Sequence, residues 1–536
     1  MKKILFFIAL ILTTSMAFAQ SETLIKSIEK LRNTIVAVDR FYVDTVNVAK
    51  LAEKAVISML KDLDPHSTYI SKEDFAAANE PLAGSFDGIG IEFTVLDDTL
   101  VVIMPVSGGP SESVGILAGD KIVAVNGQNI AGEKITTDKI YKHLRGRKGT
   151  KVILDIVRRN VKEIIQFEVI RDKIPINSID AAYEVRPGLA YIKLGRFAQT
   201  SMNEIFMAFA KFKTNPEALI LDLRGNGGGI MGTAVNLADQ FLEEDKLIVY
   251  TSGTHMPSQS ELSTNDGIFK KGKLVLLINE GSASASEIVA GAIQDWDRGI
   301  LIGRRTYGKG LVQHQLPLGD GSYIRLTISR YHTPTGRVIQ RPYEKGNSDK
   351  YIKDFYERYT SGEVYDSVNI NFPDSLKYKT LVNSRTVYGG GGIMPDIFIP
   401  QDTSYYTQYY ARLINRGITN RFVLNYVSDK RDELKTQYPV FEDFEKKFIV
   451  DDNFIEKLVA FAEKEKLPRN DEELNKSKSE LKMLIKALFA RDLWGTTEYF
   501  RITNANIDKE FAKAIEVITN WKKYEKEVFE KKSIKN

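Results

Sequence analysis

At 536 residues the chain is longer than one hydrophobic core supports, and several domains are expected. Hydrophobic residues make up 43% and charged residues 27%, the balance of an ordinary soluble globular protein, and a formal charge of +4 over this length excludes a dedicated nucleic-acid surface. The absence of cysteine removes disulfides, a thiol nucleophile and cysteine-rich zinc sites together.

Residues 1–19 read as an export signal: Lys2 and Lys3 form the charged start, Ile4 to Leu12 the apolar stretch, and Ala17-Phe18-Ala19 the small-residue cleavage site. The apolar run is shorter than the ~20 residues a spanning helix needs. Cleavage before Gln20 and a periplasmic location are therefore expected, with anchoring in the inner membrane or secretion as the alternatives. Residues 20–80 form a helical region in which Leu24, Ile28, Leu31, Ile35 and Val38 recur at helical spacing, as do apolar residues from Val48 to Leu60. It ends at the turn Asp64-Pro-His-Ser-Thr-Tyr69, where His66 is expected to serve as a structural hydrogen-bonding residue.

From 81 to 173 the pattern changes to short strands punctuated by glycine, among them Leu100–Met104, Asp120–Gly127 and Lys151–Val157. The Gly88-Ile-Gly-Ile91 loop, the stretch Ala118–Gly127 and Leu144–Gly149 together resemble a PDZ domain. A glycine-rich loop before an alternating strand suits capture of a peptide C-terminus: backbone N–H groups hold the carboxylate and the strand edge pairs with the peptide. Gly88, Ile89, Gly90 and Ile91 are assigned to the carboxylate.

Residues 174–400 alternate strand and helix patterns, as an α/β core does. Between the strand pattern Ala218–Leu223 and the helix pattern Gly232–Leu242 lies Arg224-Gly-Asn-Gly-Gly-Gly229, a loop suited to bringing backbone amides to an oxyanion; Gly228 is the favoured donor, with Gly227 the alternative. The segment Gly281-Ser-Ala-Ser-Ala-Ser-Glu-Ile288 follows the buried-strand pattern Lys273–Ile278 and opens a helix, so a serine is presented at a strand-to-helix turn and the Ala285 amide is a natural oxyanion donor. Ser282, Ser284 and Ser286 all qualify by position. Lys309, in the turn Gly308-Lys-Gly310, is a candidate base. Lowering its pKa of ~10.4 by about three units requires roughly 4 kcal/mol of differential environment, which burial supplies. Gln313 is placed to orient the amine. Gly303–Lys309 fits the first seven positions of a P-loop, yet the eighth is Gly310 and a strand pattern follows, so no nucleotide is expected.

From 401 to 536 the chain is helical and densely charged, with amphipathic stretches at Asp451–Lys466, Asp471–Arg491 and Asn506–Lys535. These read as an appended helical extension.

Taken in order, Asp64–Thr68, the PDZ segment, Leu223–Gly229, Ser282–Ile288 with Gln294-Asp295, Thr306–Gly310 with Gln313, Tyr331–Arg337 and Gly391–Asp396 resemble the carboxyl-terminal processing peptidases, or tail-specific proteases, of the S41 serine-peptidase family. The resemblance runs from the helical start through Pro400; the segment from about Tyr343 to Ser384 and the helical tail fall outside it. It implies a multidomain α/β architecture, with a PDZ domain before a mixed α/β core of the ClpP/crotonase type and helical regions at both ends. It also implies Ser284 as nucleophile, Lys309 as base, Gln313 as supporting residue and Asp295 in a secondary, supportive role. The expected activity is cleavage of protein or peptide substrates with apolar C-termini, with no metal or cofactor. Helical termini flanking such a core suggest a homodimer. The reading from a different class is a peptide- or lipid-binding envelope protein on the same scaffold without catalysis.

Overall fold

The computed structural model describes residues 2–530 except 97, 133–134, 160 and 371, with side chains from residue 22 onward; the side chains of the expected signal segment and residues 531–536 lie outside that description. The chain divides into two units, one of Met1–Phe75, Gln313–Thr327 and Tyr343–Tyr351, the other of the remaining residues.

In the first unit the helices Lys2–Phe41 and Val48–Lys61 precede a turn organised by one carboxylate. Asp64 accepts the amides of His66 and Ser67 at 2.8 and 2.9 Å and the Ser67 hydroxyl at 2.6 Å. This aspartate turn launches the strand Thr68–Ile70, which pairs antiparallel with Tyr323–Arg325. His66 is structural, its Nε2 lying 3.2 Å from the Tyr351 hydroxyl. On the long helix, Leu24, Ile28, Leu31 and Ile35 are exposed along one side. Among the described residues no helix is long and apolar enough to cross a membrane.

The second unit opens with an antiparallel sheet in the order Ile91–Leu96, Thr99–Pro105, Lys121–Val125, Lys151–Val157 and Ile165–Ile170. Period-two alternation builds its core: Val152, Leu154 and Ile156 are buried, while Lys151 and Val157 are exposed. The helix Thr137–Leu144, capped by the Thr136 side chain on the Lys139 amide, adds Ile140 and Leu144 to that core.

A large six-stranded sheet in the α/β region runs Ile179–Arg186, Leu189–Leu194, Ala218–Asp222, Lys273–Ile278, Ile300–Gly303, Ile397–Phe398. Its first pair is antiparallel and the rest are parallel. Every residue of Ala218–Asp222 is buried, as a parallel strand covered on both faces must be. One face, with Leu219, Leu221, Leu274 and Leu276, packs on Ser201–Lys211, Met231–Asp239 and Ala285–Asp295.

The opposite face meets an element whose partner the sequence did not indicate. The stretch read as one appended extension plays two parts. Five helices from Gln408 to Leu493 enclose their own aromatic core, including Phe422, Phe444, Phe448 and Phe489. The helix Lys509–Thr519 instead lays Phe511, Ala514, Val517 and Ile518 against Tyr191, Ile220, Val275, Leu277 and Ile302, completing the large sheet. Phe511→Ala should therefore destabilise the α/β core by about 3 kcal/mol, seen as a lower midpoint of the core's denaturant transition. An unchanged midpoint contradicts this packing role.

Candidate active site

Ser284 occupies the junction between the strand Lys273–Ile278 and the helix Ala285–Asp295, at φ 56° and ψ −113°. A non-glycine residue held there costs about 1–3 kcal/mol and persists only where its surroundings over-determine it. They do so here. Ser282 and Ser286 are fully buried and spend their hydroxyls on the Leu223 and Asn226 carbonyls, each at 2.8 Å. The Ala283 amide also donates to the Asn226 carbonyl, at 3.0 Å. Of the three candidate serines, Ser284 alone is part-exposed.

The glycine loop presses on this elbow from the end of the neighbouring strand. A Cβ on Gly228, where φ is +102°, would lie 2.8 Å from the Ala283 carbonyl oxygen, 2.9 Å from Ser284 Cβ and 3.1 Å from the Ala285 nitrogen, so only glycine fits. The Gly228 amide is engaged: it donates to Asn226 Oδ1 at 2.9 Å. Gly227 is exposed. Ala285 holds the first helical position, where the helix offers its N–H no carbonyl.

The lysine turn is joined to the serine elbow through Glu287, a fully buried carboxylate to which the sequence analysis gave no role. Its Oε1 accepts the Thr306 hydroxyl at 2.5 Å and the Gly308 amide at 2.7 Å. Its Oε2 accepts the amides of Ser284 at 2.8 Å and Lys309 at 2.9 Å. A second bridge uses the buried Tyr331, whose hydroxyl lies 2.6 Å from the Lys309 carbonyl oxygen and 3.1 Å from that of Ser284. Both backbone polar groups of Ser284 and of Lys309 are thus tied to the same two side chains. The signal for Glu287 was present in Ser284-Ala-Ser-Glu287, the spacing at which a third-position glutamate reaches back to the N-cap amide.

Ser284, Ala285, Gly228 and Lys309 are brought together in this way. Asp295 closes the same helix and accepts the Thr335 amide and hydroxyl at 2.9 and 2.8 Å, and it forms an ion pair with the buried Arg337. It braces the segment that follows Tyr331. Gln313 belongs to the first unit, where its Nε2 donates to the His66 carbonyl at 2.6 Å, fixing which end of the amide is the donor. Gly88 ends the strand Ser85–Gly88, which pairs with Asp172–Pro175, Ile89 and Gly90 link it to the antiparallel sheet, and Ile91 is that sheet's first residue. Ile89 is a core residue whose carbonyl accepts the Ser111 amide and hydroxyl, and the Gly90 carbonyl accepts the Val106 amide. Ile91 opens an edge strand, on the side of Phe93, whose ring meets Tyr141 of the adjacent helix edge-on at 5.7 Å. Among the described residues, no three His, Asp or Glu side chains converge as a metal site requires.

Burial pushes the Glu287 carboxyl up, while its four hydrogen bonds pull it down; burial wins. Glu287→Gln turns an NH₂ group toward donors and leaves buried N–H groups unsatisfied at about 1–3 kcal/mol each, so turnover at this site should fall roughly 100-fold. The pH response has opposite signs for stability and activity. A raised folded-state pKa means that the stability linked to Glu287 is full below ~4.3 and is lost as pH rises through the raised value. The four-donor arrangement needs the anion, so activity rises over the same window. Thermal melts and rates of wild type relative to Glu287→Gln, taken from pH ~4 to ~7, should show this crossing. Parallel trends contradict it.

Residues 188–345 match the family described as Peptidase family S41, 88–169 the PDZ domain, and 409–495 a family of unknown function (DUF8443). A carboxy-terminal-processing protease of Bartonella bacilliformis is 33% identical over 355 residues, covering 63% of this chain and 80% of its own. A probable CtpA-like serine protease of Staphylococcus aureus is 32% identical over 318 residues, covering 58% of this chain; the match spans 62% of that relative, just under two thirds of its length. Among solved structures, a photosystem II D1 C-terminal processing protease is 30% identical with a TM-score of 0.32, covering 57% of this chain and 89% of its own. With a relative one-third identical matched over four-fifths of its length, the chain belongs to the carboxy-terminal-processing proteases of peptidase family S41, which are serine-type peptidases.

Proposed function

We propose that the protein is an exported endopeptidase that captures apolar C-terminal tails on its PDZ domain and cleaves them with a Ser284–Lys309 dyad. The observation that carries this reading is the strained, part-exposed Ser284 elbow coupled through Glu287 to the backbone of Lys309. In the reaction the Ser284 hydroxyl attacks the scissile carbonyl and its proton passes to the neutral Lys309 amine. The Oγ–C bond forms, and the developing oxyanion is met by the Ala285 N–H with Gly228, whose amide must share or exchange its Asn226 contact, or with Gly227. Collapse breaks the C–N bond and Lys309 returns the proton to the leaving amine; water then hydrolyses the acyl-enzyme with Lys309 again as base. Gln313 and Asp295 take the supporting roles that the family resemblance implies.

The edge strand beginning at Ile91 supports tail capture, since a peptide adds there as a further strand while the Gly88–Ile91 loop takes its carboxylate. The signal-like residues 1–19 support export to the periplasm. The exposed row Leu24, Ile28, Leu31 and Ile35 supports homodimerisation through the N-terminal helix.

Two measurements test these readings. The mature protein should cleave a fluorescent, apolar-tailed peptide, whereas Ser284→Ala and Lys309→Ala should each lose at least about 1,000-fold in kcat while still binding the peptide. Substantial turnover in either variant removes the dyad, and binding without turnover in the wild type favours the non-catalytic binding protein. Light scattering should give twice the chain mass, falling to a single chain mass when the exposed row on either side of Ile28 is broken by Leu24→Lys and Leu31→Lys; a monomeric wild type rejects the dimer.

A further inference from the structure

The two loops that converge on Ser284 are glycine-rich, and each is rooted in an arginine. Arg224 immediately precedes Gly225–Gly229, and Arg304 precedes the Thr306–Gly310 turn. Both arginines reach the same place, the start of the tail helix Lys509–Thr519. Arg224 forms a two-pronged contact with Asp508, at 2.9 and 2.7 Å, reaches Glu510 more weakly at 3.4 Å, and also holds Asp222 in the adjoining strand. Arg304 donates to Glu510 at 2.6 Å and to Glu280 at 2.9 Å. All four side chains of these two cross-links are largely buried. Burial opposes charge on Asp222, yet Arg224 and Lys193 hold its carboxyl well below the usual range, so Arg224 is anchored to an ionised partner in the strand.

We propose that Asp508 and Glu510 are positioning residues for the peptidase reaction, setting the separation of the glycine loop and the lysine loop by holding both of their root arginines on one helix. The proposal rests on the Ser284–Lys309 reading. Because Asp508 and Glu510 sit two positions apart at one rigid helix end, they fix where Arg224 stands relative to Arg304. The tail helix, itself seated on the core sheet through Phe511 and Val517, thereby acts as a template for the catalytic loops. Catalysis is sensitive to such placement, since a displacement near 1 Å can cost about 100-fold in rate. Loss of the template should accordingly reduce turnover and leave tail binding on the PDZ domain intact.

The test uses the full chain. Asn caps a helix as well as Asp, and Asp508 caps this one by accepting the Phe511 amide at 2.9 Å, so Asp508→Asn removes the ion pair and keeps the cap. Combined with Glu510→Gln it should lower kcat about tenfold or more, hold KM within about twofold, and slow labelling of Ser284 by a fluorophosphonate probe in proportion. Lys509→Gln is the control: it removes an ion pair to Asp402 at 2.5 Å on the same helix turn without touching either arginine, and should retain full kcat. Unchanged kcat and labelling in the double variant overturn the proposal, and with Ser284→Ala inactive in the same assay the dyad reading stands. An equal loss in Lys509→Gln also overturns it, as the effect is then general helix stability. If Ser284→Ala retains activity, the dyad and the template fall together.

Discussion

A single buried carboxylate sets the register of the site. Glu287 receives four donors, and those donors come from two places in the chain: the serine elbow and the lysine turn. Charge-assisted hydrogen bonds to an anion are stronger than neutral ones, and in a dry interior the anion has no water to fall back on. Either the two loops are both in place or the charge is left unsatisfied. Tyr331 repeats the constraint from the carbonyl side. The placement of Ser284 relative to Lys309 is thus constrained through their backbones.

This explains how the chain tolerates the dihedral angles of Ser284. The helix behind it is buried along its whole length, so the elbow cannot relax by tilting the helix. The hydroxyls on either side of it are fastened to Leu223 and Asn226, and the space in front is filled by the backbone of Gly228. The strain is held by packing that exists for the fold. In that sense the flanking serines, which compete with Ser284 on sequence grounds, are part of what distinguishes it: their polarity serves the turn, and the turn exposes the middle residue.

Much of this was legible beforehand. Alternation gave the PDZ strands, continuous apolar runs gave the parallel core, and the Gly-Lys-Gly turn stood between two strand patterns as expected. The site residues within the large unit converge because they lie in loops following neighbouring parallel strands, where such loops lie together at one end of the sheet. What could not be read was the use made of each polar atom. Glu287 stands in the first turn of its helix, and that its second oxygen meets Thr306 and Gly308 depends on a loop about twenty residues away. The engagement of the Gly228 amide by Asn226 likewise arises from a local turn that composition does not reveal.

The role of the tail helix was hidden for a related reason, since amphipathic spacing says that a face is apolar and not what it meets. The demand for a covering layer was nevertheless written elsewhere in the chain. Strands as uniformly apolar as Ala218–Leu221 and Leu274–Ile278 must be covered on both faces. The three helices that connect the core strands supply one layer. A second layer has to come from outside the βα succession, and Phe511, Ala514, Val517 and Ile518 recur at the spacing that provides it. Counting faces against available helices would have placed the tail on the sheet, and with it the acidic residues Asp508 and Glu510 at the mouth of the two loops.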